Sequence, residues 1–390
     1  MSAAAGYAGV FDLAVVGAGI VGLGQALAAA RRGKRVVVID REAEVNAASV
    51  RNFGFITVTG QAAGETWRRA RLSRDIWAEV AAQAGIAIAH QGLVVLARRP
   101  EAYAVLQAFA ATEMGSACTL LGPAEAGRRF PDVTPKTLSG ALFSPHELRV
   151  ESRTAVPRLA AWLDETLGVR FLRRTLVKDI DLPRIATTSG VIEAEAAVVC
   201  PGDDFLSLYP DRLAGFDLTR CRLQMLRVAP PEAGWRLPAG VMSDLSLVRY
   251  PGYAALPEAA ALLPRLQAEQ AEHLAAGIHL IVVQDADGAL VVGDSHHYAA
   301  TPSPFSAEAV DDLILEECAA ALGRRTGPVL ERWSGTYAKA PDRDALIDRP
   351  AEGVRIVVVT SGTGASTAFA LGEEVSAELF GAGVMAMGEG

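Results

Sequence analysis

Cysteine and lysine are both scarce in this chain of 390 residues. The four cysteines stand at positions 118, 200, 221 and 318, with no CxxC pair and no histidine spaced for zinc. A disulfide framework and a structural metal site are therefore not expected, no metal ligand is assigned, and the usage fits a reducing compartment. Lysine occurs only at 34, 136, 178 and 339, so arginine carries nearly all the positive charge. Acidic residues still outnumber basic ones, 45 to 37, and the net charge of −8 argues against a nucleic-acid partner. No apolar run approaches the roughly 18 to 20 residues of a membrane span, so no membrane partner is expected. The opening MSAAAGYAG has no positive n-region, and glycines interrupt the apolar stretch from Phe11 to Leu27 behind it. That stretch reads as a strand and a helix and not as a signal peptide, and a cytoplasmic, soluble protein is the expectation. What is present is an ordinary globular balance, 51% hydrophobic and 21% charged. At roughly 150 residues per domain, the length suggests two to three domains.

The first forty residues carry the sharpest pattern. Phe11 to Val16 is a short apolar run suited to a strand buried on both faces. Gly17-Ala18-Gly19-Ile20-Val21-Gly22 follows, then a helical stretch ending at Gly33, then the apolar run Arg35 to Ile39 ending in Asp40. Gly17 permits the tight turn, Gly19 lets backbone approach a pyrophosphate, and Gly22 lets helix and strand pack closely. The helix N-terminus offers unpaired N–H groups to the phosphates. Asp40, 18 residues after Gly22, sits where an acid accepts hydrogen bonds from a ribose diol. Together these define a dinucleotide site. A glycine-rich turn in some other βαβ unit would leave Asp40 unexplained.

Later segments favour FAD over NAD. A helical stretch from Arg153 to Leu167 precedes strand-like Val169–Leu172 and Thr175–Ile180. A further apolar strand, Ala194 to Cys200, ends in Pro201-Gly202. Near the C-terminus, Val354 to Val359 runs into Thr360-Ser361-Gly362-Thr363-Gly364-Ala365-Ser366-Thr367 and another helix, a second helix N-terminus available to an anionic ring edge or phosphate. Elsewhere, Glu65 to Ala84 has helical spacing of Trp67, Ala70, Leu72, Ile76, Trp77 and Val80. Pro257 to Ala276 reads as helical, and a lid, a surface insertion and an oligomer contact all suit it.

This layout resembles the D-amino-acid oxidase superfamily of FAD-dependent oxidoreductases, which includes glycine oxidase and sarcosine oxidase. The resemblance implies an α/β chain in which a Rossmann-like FAD domain is assembled from discontinuous segments, with an antiparallel-sheet α+β substrate domain between them. Residues 1–85, 145–215 and 335–390 would form the first, and 86–144 and 216–334 the second. Val177 matches the position whose backbone pairs with adenine, Cys200-Pro201-Gly202 the turn after the strand, and Gly362 to Thr367 the loop at the flavin ring. The implied cofactor contacts are Gly17, Gly19, Ile20, Val21, Gly22, Asp40, Arg41, Ser49, Arg51, Asn52, Gly54, Val177, Cys200, Pro201, Gly202, Gly362, Thr363, Gly364, Ser366 and Thr367. Ala48 to Gly54, Gly60-Gln61 and Gly293-Asp294-Ser295-His296-His297-Tyr298 resemble a bacterial subgroup linked to aminophosphonate catabolism.

One departure bears on substrate. Family members acting on simple amino acids carry W-x-G-x-R-P, whose arginine clamps the substrate carboxylate; here the stretch is Trp333-Ser334-Gly335-Thr336-Tyr337-Ala338. A single phenol does not replace a bidentate guanidinium fork. Candidate anion holders are Arg51, Arg249, His296, Lys339 and Arg343, with Tyr337, His297 and Tyr250 as catalytic candidates. Arg51 is equally suited to the flavin pyrophosphate, Tyr250 to the core, and Lys339 and Arg343 to the surface. His296 and His297 are neighbours on an extended segment, so one at most faces the flavin, and His297 is slightly preferred. The remaining histidines, His279 among them, are read as structural or exposed.

The expectation is FAD-dependent oxidation of a small amine carrying an anionic group, with molecular oxygen as electron acceptor. An aminoethylphosphonate is the favoured substrate. Alternatives are a glycine, sarcosine or D-amino-acid type oxidase, or an amine dehydrogenase passing electrons to another acceptor. An NAD-dependent dehydrogenase shares the first βαβ unit but leaves the loop at Gly362–Gly364 unexplained.

Overall fold

The computed structural model describes residues 10–133 and 135–381; the opening MSAAAGYAG, considered above as a signal sequence, lies outside them. Two sheets organise the chain. The first has eight strands, with Val10–Val16 at its centre between Gly190–Val199 and Val36–Ile39, all parallel. Arg170–Leu172 and Val354–Val359 extend it in parallel on either side, and Ala345–Ala351 closes one edge antiparallel. The strand residues alternate between two cores. Leu13, Val15, Val36 and Val38 point to one face, while Ala14, Val37 and Ile39 point to the other, as the period of two requires. Burial on both faces is why these strands read as unbroken apolar runs.

Helices Ile20–Arg31, Glu65–Ala84, Ser152–Leu167 and Gly364–Phe380 cover the first of those faces, and Trp77 packs on Phe369 at 4.9 Å between ring centres. The first and last of these helices meet through glycine. A Cβ on Gly24 would stand 2.5 Å from the Ala368 carbonyl oxygen, and one on Gly372 would stand 2.3 Å from the Gly24 oxygen. Backbone touches backbone there, and a methyl group on either helix would push them apart.

The second sheet has ten strands. The long pairs are Ile88–Ala97 with Gly140–Val150 and Thr219–Val228 with Val329–Lys339, both antiparallel. One pair is parallel, Gly240–Met242 with Ile88–Ala97, so the sheet is mixed and not purely antiparallel. It also takes in Phe55–Ile56 and runs on through Lys339. The Pro257–Ala276 stretch forms helices Ala259–Glu269 and Ala271–Ala275, and Leu262 and Leu266 are buried in this sheet's core. The four cysteines are free, and no helix among the described residues is long and apolar enough to cross a membrane.

Candidate active site

A cavity of about 750 Å³ is lined by residues of both sheets. One end is made chiefly of backbone. Gly17, Gly19, Ile20, Val21 and Gly22 line it, with Asp40 and Arg41 at the end of the Val36–Ile39 strand, Val177, and Cys200-Pro201-Gly202. Gly17 has φ +104°, and a Cβ there would meet the Cys200 oxygen at 2.5 Å. On Gly22 a Cβ would collide with the Gly17 oxygen at 1.8 Å, and on Gly19 it would meet Ser49 Oγ at 2.9 Å. The close approach of chain segments therefore requires glycine at 17 and 22, while a side chain at 19 would displace the Ser49 hydroxyl. No side chain caps the Ile20–Arg31 helix through its Gly19 N-cap, so its first turn keeps N–H groups for an anion. Ser49 Oγ accepts the Ile20 N–H at 2.9 Å. Asp40 accepts from the Ala18 and Glu42 N–H groups at 2.6 and 2.8 Å and keeps further acceptor capacity for a ribose. Arg41 donates to Asp204 at 2.6 Å across the rim.

The middle of the cavity joins the 46–53 loop to the glycine turn after Val354–Val359. Asn52 turns its amide inward on the chain: Nδ2 donates to the Ala48 oxygen at 2.7 Å, and Oδ1 accepts from the Gly54 N–H at 2.6 Å and from Ser152 Oγ at 2.9 Å. Arg51 is on the wall and donates to Asn46 at 3.1 Å. Gly362, Thr363, Gly364 and Ser366 line the opposite side, and Ser366 Oγ accepts the Thr57 N–H at 2.8 Å. The helix beginning at Gly364 also has no side-chain cap. Two expected cofactor contacts lie off this wall. Gly54 is not on the wall, because a Cβ there would stand 1.9 Å from the Val150 oxygen, so it serves packing against Gly140–Val150. Thr367 is not on it either, since its hydroxyl donates back to the Thr363 oxygen at 3.0 Å.

The far end is made of side chains. Arg249, Tyr250, His279, Asp294, His296, Tyr298, Tyr337 and Lys339 all line it. Tyr337 packs on the glycine turn, with its Cζ 3.0 Å from where a Gly362 Cβ would be, and burial pushes its hydroxyl far above the usual phenol range. Arg249 donates to the Tyr298 hydroxyl at 2.5 Å. Tyr250 stands edge-on to His279 at 5.3 Å, and burial raises its hydroxyl too. His279 Nε2 lies 3.0 Å from Asp294 Oδ1. Burial by itself pushes the Asp294 carboxyl up, but His296, His279 and Arg249 together bring it to about 2. Burial, with Arg249 and His279 adding to it, drives His296 down to about 3 against the pull of Asp294. At neutral pH the site thus holds an ionised Asp294 beside a neutral His296.

His296, not His297, faces the cavity. The His296 Nδ1 bond to the Gly277 oxygen at 2.9 Å turns that ring inward, while His297 sits on the other side of the strand, half-buried opposite Arg222. Arg343 lies off the wall, paired with Asp342. His279 is buried and on the wall, against the reading of it as structural or exposed. Asp294 had no role assigned, although its spacing of two from His296 puts both on one side of an extended segment. His279, Asp294 and His296 bring three ligand-type atoms within 4.8 Å of one another, with the Arg249 charge close enough to act on Asp294 and His296.

The parallel sheet, the glycine cradle and the two helix starts whose N-cap residues make no side-chain bond define a dinucleotide-binding protein with a side-chain-lined reaction chamber. The chain belongs to the DAO family of FAD-dependent oxidoreductases, which it matches over residues 12–378. Solved structures share the fold. Glycine oxidase from Bacillus cereus ATCC 14579 superposes with a TM-score of 0.74 at 16% identity, covering 95% of this chain and 94% of that one. L-proline dehydrogenase from P. horikoshii gives 0.75 at 19% identity, covering 95% and 93%. L-alpha-glycerophosphate oxidase from Mycoplasma pneumoniae, with FAD bound, gives 0.72 at 15%, covering 95% of each. No curated protein matches the chain. FAD is the cofactor, and the cradle that added Cβ atoms would fill fits its pyrophosphate.

Proposed function

We propose that this oxidoreductase oxidises a small amine carrying an anionic group, with 2-aminoethylphosphonate or its N-methyl derivative the favoured substrate. The products are an aldehyde, the released amine and, with molecular oxygen as acceptor, hydrogen peroxide. The observation that carries the reading is the pairing of Arg249 with Tyr298 at the end of the cavity where Tyr337 replaces an arginine clamp. Arg249 binds the anion, and the Tyr298 and Tyr337 hydroxyls add donors spread around it. A phosphonate, with three acceptor oxygens, uses spread donors better than a planar carboxylate does.

FAD, when bound, supplies the two-electron acceptor. The chain supplies the rest. Phe53, Phe55, Leu223 and Ile281 give the wall apolar surface that excludes water. The uncapped start of the Gly364–Phe380 helix offers N–H groups to negative charge on the ring. A second reading, an α-amino-acid substrate as in the names glycine oxidase and L-proline dehydrogenase, draws on the same Arg249, which also suits a carboxylate. The four free cysteines fit a cytoplasmic setting.

The test is a steady-state comparison of 2-aminoethylphosphonate, its N-methyl derivative, glycine, sarcosine and D-alanine on one preparation. The highest kcat/KM is expected for a phosphonate; a highest value for glycine or D-alanine overturns the substrate reading and leaves the flavin chemistry intact.

A further inference from the structure

Two buried acceptors face each other at the amine end of the cavity. The Gly277 carbonyl 2.9 Å from His296 Nδ1 can only accept, so Nδ1 carries the hydrogen and the neutral ring presents a lone pair at Nε2. That Nε2 lies 3.7 Å from Asp294 Oδ2, which also carries lone pairs. Among the described residues neither atom has a hydrogen-bond donor, although Asp294 and His296 are only 4% and 8% exposed. The other oxygen, Oδ1, lies 3.0 Å from His279 Nε2 and is itself buried without a hydrogen-bond partner. Such an arrangement is complete when a donor bridges the two acceptors, and a group with several N–H hydrogens, an ammonium, can serve both at once. The Arg249 guanidinium, near enough to act on both, supplies the opposite charge for the other end of the same small molecule.

We propose that the site takes its substrate as a zwitterion, Asp294 receiving the ammonium group and Arg249 the anionic group, and that His296 Nε2 removes the ammonium proton before oxidation. The inference rests on the anionic-amine reading above. In this step an N–H bond breaks, its electron pair stays on nitrogen, and the proton moves to Nε2. The result is a neutral amine and an imidazolium that donates from Nδ1 to Gly277 and is stabilised by Asp294. The imidazolium returns its proton to water as product leaves.

The charged and titratable groups facing His296 are Asp294 and Tyr298 from its own segment, His279 from the preceding loop, Arg249 with Tyr250, and Tyr337 with Cys221 behind it. After burial itself, Arg249 is the foremost of these in holding the imidazole neutral, and Asp294 opposes it. A docked anion cancels the Arg249 charge and leaves that of Asp294. The anionic end of the substrate therefore makes His296 a stronger base, and an amine lacking that end fails at proton transfer as well as at binding.

The experiment follows anaerobic flavin reduction by 2-aminoethylphosphonate from pH 6 to pH 10 in the FAD-loaded wild type, H296Q and D294N. Binding of ethylphosphonate, which lacks the amine, is read from the flavin spectrum in each. H296Q is expected to keep its flavin and its ethylphosphonate affinity, and to reduce about a hundredfold more slowly at pH 7. Its deficit closes by about tenfold per pH unit as the free amine forms unaided. D294N is expected to lose affinity for the aminophosphonate while keeping that for ethylphosphonate. A deficit in H296Q that is equal at every pH, or absent, overturns the proposal. So does one equivalent of a divalent metal retained by wild type, whose removal reproduces the H296Q loss. If wild type is reduced by glycine, sarcosine or D-alanine and not by the phosphonate, the phosphonate reading fails alone, and the same pH series with that amine decides the role of His296. If no zwitterionic amine reduces the flavin, both readings fall.

Discussion

The two ends of the cavity are built by different means. At the nucleotide end the wall is backbone, and its shape follows from side chains that are missing at Gly17, Gly19 and Gly22. At the amine end it is a set of long polar side chains brought from residues 249, 279, 294–298 and 337, each on a different segment. The first construction leaves no room for a Cβ at Gly17 and Gly22, whereas the second depends on charge. A substitution at one end should therefore act through space and at the other through electrostatics, and the two should separate in experiment.

The sharpest break is expected from Gly19→Val. Its Cβ would stand 2.9 Å from Ser49 Oγ, in the gap meant for pyrophosphate, so the purified variant should be colourless while the wild type is yellow. A visible spectrum decides it. Next is Arg249→Met, which removes charge and keeps bulk. It should retain flavin and lower kcat/KM for an anionic amine by about ten- to a hundredfold, as the loss of roughly 1.5 to 3 kcal/mol of charge-assisted binding implies. Steady-state kinetics with 2-aminoethylphosphonate, and the flavin spectrum of the purified variant, check both parts.

Acid should weaken the second sheet through His90. Burial, with Arg149 adding to it, lowers this imidazole to about 4, below its ordinary 6.5, and Asp285 opposes the shift. The unfolded chain binds its proton first, so the contribution is full above pH 6.5 and is lost as pH falls toward 4. Between pH 7 and pH 5 the loss is at most about 2 kcal/mol. Urea unfolding at both values should show H90Q with the shallower pH dependence. The mildest effect is expected from Asp40→Ala, which takes one ribose partner away and leaves the phosphate cradle intact. FAD affinity should fall by about tenfold with folding unimpaired, read by reconstituting apoprotein.

That contrast also governs what the residues alone reveal. Gly17 to Asp40 is legible because the turn, the helix start and the strand-end acid lie within one βαβ unit, where spacing fixes geometry. The Glu65–Ala84 helix is legible for the same local reason, and its bounds in the structure are those the periodicity implies. Arg249 and Tyr337 could be singled out only by type and by resemblance. His279 was missed because its meeting with Asp294 depends on the register of the Ile281–Gln284 and Leu290–Gly293 hairpin, which sets Ile281 opposite Gly293. The choice between His296 and His297 turned on a bond to Gly277, which alternation alone does not contain. Gly54 and Thr367, grouped with the cofactor contacts by motif, lie off the cavity wall, one held by packing and the other bonded within its helix.

The glycine contact between the first and last helices has a consequence in time. Gly24 meets Ala368 and Gly372 backbone to backbone, so the helix that receives the pyrophosphate is seated against the one that begins at the flavin loop. Gly364 lies 345 positions after Gly19. At roughly 5 to 20 residues per second, a ribosome reaches the second about 17 to 70 seconds after the first. Throughout that interval the nascent chain carries a glycine cradle without its far wall, and the buried face of its first helix has no partner at Gly24. Cofactor loading is thus placed after the Gly364–Phe380 helix has docked.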